Sequence, residues 1–93
     1  MTYRVIWRQH LIDQIAQTYL DMLDSEDVVS ASRLAAAIPR VWEQLSRNPS
    51  DQGESREGYE RVTFVGPITV TYEVVHDEMT VLVLKVVVRR SRN

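Results

Sequence analysis

Residues 59–88, YERVTFVGPITVTYEVVHDEMTVLVLKVVV, constrain this chain more than any other stretch. They read as three β-strands joined by two tight turns. Gly66-Pro67 separates a run at 59–65 from one at 68–75, and His76-Asp77-Glu78 separates the latter from a run at 79–88. Each run has strand length and is rich in β-branched residues. Side chains alternate along a strand, so parity assigns Val62, Phe64, Ile68, Val70, Tyr72, Val74, Leu82, Leu84, Val86 and Val88 to one apolar face. Arg61, Thr63, Thr69, Thr71, Glu73, Lys85 and Arg89 fall on the other. One face is expected to be core and the other a polar platform on which function would lie.

Two helices precede this meander. Leu11, Ile12, Ile15, Ala16, Tyr19, Leu20 and Leu23 repeat at the spacing of a helix buried along one side, which predicts a helix over about 8–23. Asp24-Ser25-Glu26-Asp27 is a polar turn whose Ser and Asp residues suit an N-cap, and acidic charge there suits the dipole of the next helix. Ala31, Leu34, Ala35, Ile38, Val41, Trp42 and Leu45 then predict a second helix over about 28–47, antiparallel to the first across so short a link. Pro39 lies inside this pattern and predicts a kink or restart, because an interior proline removes a backbone hydrogen bond and crowds the preceding turn. Residues 48–58 are polar, contain Gly53 and have no period, so they read as a loop.

Residues 3–7 alternate weakly and read as a short first strand. The last strand is apolar on both sides, with Val81, Val83 and Val87 opposing Leu82, Leu84, Val86 and Val88, which is the habit of a central strand. Residues 3–7 would then flank it on the side away from the meander. The expected fold is a two-layer α/β (α+β) domain, β-α-α-β-β-β, with a mainly antiparallel four-stranded sheet of order 1-4-3-2 and a helical hairpin on one face.

The whole chain, 1–93, is one domain by length. Its 44% apolar and 26% charged residues suit a folded globule rather than a disordered chain. With no cysteine there is no disulfide framework and no thiolate metal site, and two histidines alone make a metal site improbable. No run nears the roughly 20 apolar residues of a membrane span, and MTYRVIWRQH lacks the apolar segment of a signal peptide; no membrane association and a cytoplasmic location are the expectation. The net charge of −2 gives no general attraction to nucleic acid, although residues 1–58 carry −3 and residues 59–93 carry +1, with Arg89, Arg90 and Arg92 forming a basic tail. Such a tail also serves simply to solvate the end of an apolar strand.

Tyr3-x-Val5, a helical hairpin ending in Trp42-x-x-Leu45-x-x-x-Pro49, Gly53, the strand Val70-Thr71-Tyr72-Glu73-Val74, and Val81-Leu82-Val83-Leu84 running into Arg89-Arg90 resemble, in order and spacing, the RelE/ParE toxin superfamily of type II toxin–antitoxin systems. The likeness spans nearly the whole chain. It implies a small toxin with a role such as plasmid stabilisation, neutralised by a cognate antitoxin that wraps it, alone as a possible homodimer or with the antitoxin as a heterotetramer. The implied target is either the ribosome with its messenger RNA or DNA gyrase.

RelE-like members are mRNA interferases that use basic side chains on the open sheet face, without metal or cofactor. By that resemblance the catalytic candidates are Arg61, Lys85 and Arg89, with Glu73 as a possible base. Thr63 and Thr69 stand where further basic residues are wanted, and no tyrosine or histidine follows Arg89. Cleavage through a 2′-hydroxyl needs a base, a charge to neutralise the phosphorane and an acid for the leaving oxygen. The arginines and lysine would serve the second need. His10 opens the first helix and His76 sits in a turn, so neither is placed on the platform. Glu73 beside a lysine has the simpler reading of a cross-strand charge pair.

Overall fold

The computed structural model describes residues 2–50, 54–55 and 60–90. In chain order the elements are β1 (Arg4–Trp7), α1 (Gln9–Asp24), α2 (Val28–Arg47), β2 (Glu54–Ser55), β3 (Glu60–Val65), β4 (Ile68–Val75), a 3-10 turn (His76–Glu78) and β5 (Thr80–Val88). β1 pairs parallel to β5, β5 antiparallel to β4, and β4 antiparallel to β3, so the four expected strands lie in the expected order. The two-residue β2 adds an outer edge next to β3, within the stretch read as loop. The expectations for Gly53, Tyr59 and Arg92 lie outside the described residues. Neither helix is long and apolar enough to cross a membrane.

The helical hairpin forms where the sequence places its polar turn. Asp27 caps α2 by accepting the Ser30 backbone N–H at 3.2 Å, and the Asp27 N–H reaches back to the Met22 carbonyl at 2.8 Å. Hydrogen bonds from Ser30 chiefly, and then the Arg90 guanidinium, hold the Asp27 carboxyl below the usual carboxylate range. Its contribution to folding is therefore present above the ordinary aspartate pKa and is lost as pH falls through the lowered one.

The core lies between the helices and one face of the sheet. Leu11 and Met22 from α1, Ala31, Leu34, Ala37, Val41 and Leu45 from α2, and Ile68, Val70, Tyr72, Val81, Val83 and Val86 from the sheet form one buried cluster. Leu11 thus shares a core with Val70 and Tyr72, and Ile15 packs at its border, as expected. Leu20 does not: it is 51% exposed. The buried stripe of α1 is Leu11, Ile15, Tyr19 and Met22, and Ile12, Leu20 and Leu23 lie on an exposed flank. α1 is apolar over a wider arc than one contact can cover, and docking on the sheet selects the Met22 side. In α2, similarly, Trp42 is exposed and lies against Trp7 of β1, ring centroids 5.7 Å apart.

The break expected near Pro39 is absent; α2 runs unbroken from Val28 to Arg47. Pro39 withdraws the bond that would go to the Ala35 carbonyl, and both residues lie on the exposed side, where water can satisfy that carbonyl.

Two local devices set which residues of the meander face the core. The first is the two-residue turn Gly66-Pro67, which makes Val65 and Ile68 directly opposite partners. Opposite residues share a face, so Ile68 in the core puts Val65, and with it Thr63, on the core side. The assignment of Phe64 to the core is thereby corrected: it pairs with Thr69 on the open face and is 57% exposed, whereas Val62, opposite Thr71 on that same side, is nonetheless buried. The second is a β-bulge in β5. Lys85 is opposite Thr71 and Val83 is opposite Tyr72, leaving Leu84 as the extra residue. The bulge inverts parity, so Val81 and Val83 before it and Val86 after it all reach the core, whereas Leu82 and Leu84 stay outside the cluster.

Gly66 has φ +54, a region that favours glycine. A Cβ there would meet the Ala37 Cβ at 3.6 Å, an ordinary contact, so the penalty of a side chain is backbone strain. Gly66→Ala should lower unfolding stability by about 1 kcal/mol. Denaturant titration checks this, and an unchanged midpoint would mean the turn accepts a different conformation.

Candidate functional site

The register separates the four residues singled out in the sequence. Arg61 is opposite Tyr72, whose side chain is fully buried on the helix-covered face, and its guanidinium interacts with the Tyr72 hydroxyl. That hydroxyl donates to the Pro49 carbonyl at 2.7 Å. Burial pushes the Tyr72 phenol up from its ordinary value, with Arg61 acting in the opposite direction. Lys85 is exposed on the open face, opposite Thr71. Glu73 is half-buried on the same face, with Leu82 opposite it in β5 and Glu60 opposite it in β3. Its directly opposite neighbours thus include no lysine, and Glu60 is a like charge.

Arg89 follows β5. Its backbone N–H donates to the Pro67 carbonyl at 2.8 Å, and its guanidinium reaches the Gly66 carbonyl at 3.5 Å. Arg61 and Lys85 therefore lie on opposite faces of the sheet, and the expected shared platform of Arg61, Lys85 and Arg89 is not formed. The reason is the Val65–Ile68 pairing, which turns Arg61 inward.

The open face differs from the polar platform in another way. Thr69, Thr71, Glu73 and Lys85 are present on it, but Phe64 and Val87 stand exposed on either side of Thr69, in one row across β3, β4 and β5. Ile6 of β1 is in register with Leu82, which continues the apolar surface toward the parallel edge.

Arg89 belongs instead to a cleft of about 760 Å³ between α2 and the strand ends. Arg33 and Arg40 line it from the helix, Gly66 and Pro67 from the turn, and Arg89 and Arg90 from the end of β5; among the described residues no carboxylate lines it. Arg90 also holds the Asp27 carboxylate at 3.1 Å and bonds the Ser25 hydroxyl, fastening the end of β5 to the helical hairpin. The reading from the sequence missed Arg33 and Arg40. Their signal was spacing: Arg33, Arg40 and Arg47 recur every seven residues along α2, which keeps them near one face.

A smaller polar cluster surrounds His76. Its Nδ1 lies 3.1 Å from the Tyr3 hydroxyl and its Nε2 3.4 Å from the Ser50 hydroxyl, so the imidazole is oriented at both nitrogens although exposed. It sits at the opposite end of β4 from the Gly66-Pro67 turn. Among the described residues no group of three or more histidines or carboxylates is placed to hold a metal ion.

Comparison with known families finds no family model that matches the chain, and comparison with curated proteins finds no match.

Proposed function

We propose that this chain is the toxin component of a RelE/ParE-like type II toxin–antitoxin module, and that it inhibits growth by binding a protein target rather than by cutting messenger RNA. The β-α-α-β-β-β order, with β1 parallel to β5 beside an antiparallel meander, supports the superfamily reading. The mode of action rests on one observation: the open face presents exposed Phe64 and Val87, and Lys85 is the sole cation that β3–β5 place on it.

Phosphoryl chemistry without metal needs several cations converging on one phosphate. An exposed aromatic and a valine flanked by threonines suit apolar contact with a protein, and aromatic residues are favoured anchors at such contacts. The ParE-like branch, which acts on DNA gyrase, is the better match for such a face. A cognate antitoxin would neutralise the toxin.

The test is induced expression in bacteria, followed by a gyrase supercoiling assay with purified protein and primer extension across cellular messenger RNA. Expected are growth arrest, inhibition of supercoiling and no new message ends. Phe64→Thr keeps a strand-forming residue and removes the aromatic ring. It should weaken supercoiling inhibition on the order of tenfold or more, the effect of losing an interface anchor, without lowering thermal stability. New, toxin-dependent message ends would replace this reading with the nuclease one. Unimpaired growth would remove the toxin assignment.

A further inference from the structure

We infer that the exposed flank of α1 is the contact surface for a second copy of this chain, the two helices lying antiparallel across a two-fold axis near Ala16. The surface is a helix flank rather than the open sheet face, and the inference does not rest on the function proposed above.

The fold leaves an apolar stripe of α1 uncovered. Ile12, Ala16, Leu20 and Leu23 are all exposed, and their spacing of four, four and three residues sets them on one side of the helix. Leu11 and Met22, on a neighbouring arc, already make the contact with the core. A continuous apolar strip at helical spacing is the form of surface against which another helix packs.

The charge pattern selects the occupant. α1 has no acidic residue in its first turn and no basic residue in its last. Arg8 stands instead at its start, and Asp21, Asp24 and then Glu26 at its end. A helix start carries partial positive charge and a helix end partial negative charge, so this order is unfavourable along α1 itself. α2 has the favourable order, with Asp27 as its cap and Arg47 in its last turn. The start of α2 offsets the acidic end of α1, because the two adjoin in the hairpin. An antiparallel copy offsets both ends: each basic start lies alongside an acidic end, with the helix dipoles opposed. A parallel pair would set like ends together.

The stripe is also self-complementary in that direction. About an axis at Ala16, Ile12 of one copy comes level with Leu20 of the other, since both stand four residues from the centre. The small Ala16 side chains let the helices approach closely there. A contact one helix wide is at the low end of interface sizes, so association is expected at roughly 10–100 µM, with the dilute chain monomeric.

The experiment is sedimentation velocity of the full chain from about 5 µM to about 1 mM, across which monomer should give way to dimer. Leu20→Glu places a charge on the stripe without touching the core, and should weaken the pair on the order of tenfold or more. Arg8→Glu makes both ends of the helix acidic and should weaken it several-fold. Circular dichroism should show both variants folded. The chain has no cysteine, so single introduced thiols report position. Ala16→Cys should cross-link to its own copy through a short bis-maleimide, whereas Gln9→Cys, on the same side of the helix but far from the axis, should not. A chain still monomeric at about 1 mM would overturn the inference. Dissociation by Phe64→Thr but not by Leu20→Glu would move the contact to the sheet face and overturn it as well. Cross-linking through Gln9→Cys, or an unweakened pair in Arg8→Glu, would reject the antiparallel arrangement.

Discussion

Leu34→Ala is expected to destabilise the fold by about 2–5 kcal/mol, the range for removing a buried leucine side chain and leaving part of its volume empty. Leu34 is 1% exposed and sits at the centre of α2, between Ala31 and Ala37 on the helix and the sheet cluster. Its small neighbours on the same helical face are alanines, which have no side-chain length with which to fill a cavity. A chain of this size has total stability of about 5–15 kcal/mol, so this one change removes a large part of it. Urea titration should show a lower midpoint at an unchanged slope, with thermal unfolding falling by about 4–8 °C per kcal/mol. Leu20→Ala is the matched control. Because Leu20 lies on the exposed flank of α1, its loss should stay within about 0.5 kcal/mol, the range of ordinary surface changes. Equal losses at the two positions would mean that α1 is rotated about its axis from the orientation described.

Tyr72→Phe should cost about 1–3 kcal/mol, although it removes a single oxygen. The Tyr72 side chain is fully buried, and its hydroxyl donates to the Pro49 carbonyl and meets the Arg61 guanidinium. Deleting the donor leaves that carbonyl without its partner, so the penalty comes from an unsatisfied acceptor rather than from lost packing. The same buried phenol carries a pH signature. Burial raises its folded-state pKa above the unfolded value of about 10, so its contribution to stability is fully present below about pH 10 and is lost as pH rises through the higher folded pKa. Urea midpoints measured from about pH 9 to 11 should therefore fall more steeply for the wild type than for Tyr72→Phe. Parallel curves would show that Tyr72 does not couple alkaline titration to folding.

Element type and order were legible in the residues. Periodic leucines, isoleucines and alanines placed both helices within about a residue of their ends, and Gly66-Pro67 and His76-Asp77-Glu78 bounded β4 at Ile68 and Val75. The apolar surplus of the last strand was enough to put β5 between β1 and β4. These features are local: a period of 3.6 or 2, a turn residue and a strand apolar on both sides act over a few positions and survive in any packing.

The candidate site was less legible, and the failures share one cause. β3 and β5 carry apolar residues at both parities, so composition does not choose a face. Pairing chooses it, through the two-residue turn that sets Val65 opposite Ile68 and the bulge at Leu84 that reverses β5 halfway along. The turn's consequence was available in principle, since its two flanking residues must share a face. The bulge was not, because nothing in Val81-Leu82-Val83-Leu84-Lys85 marks which residue is extra. The arginine cleft joins positions far apart in the chain, Arg33 and Arg40 to Arg89 and Arg90. Their charges and helical spacing belong to the sequence by itself; that the end of β5 returns beside α2 is a product of sheet order and helix docking. What the residues determined alone was therefore which elements form and in what order, because those preferences are short-ranged. Tertiary structure decided which side of each element meets the core and which cations meet each other, because both depend on register and on long-range packing.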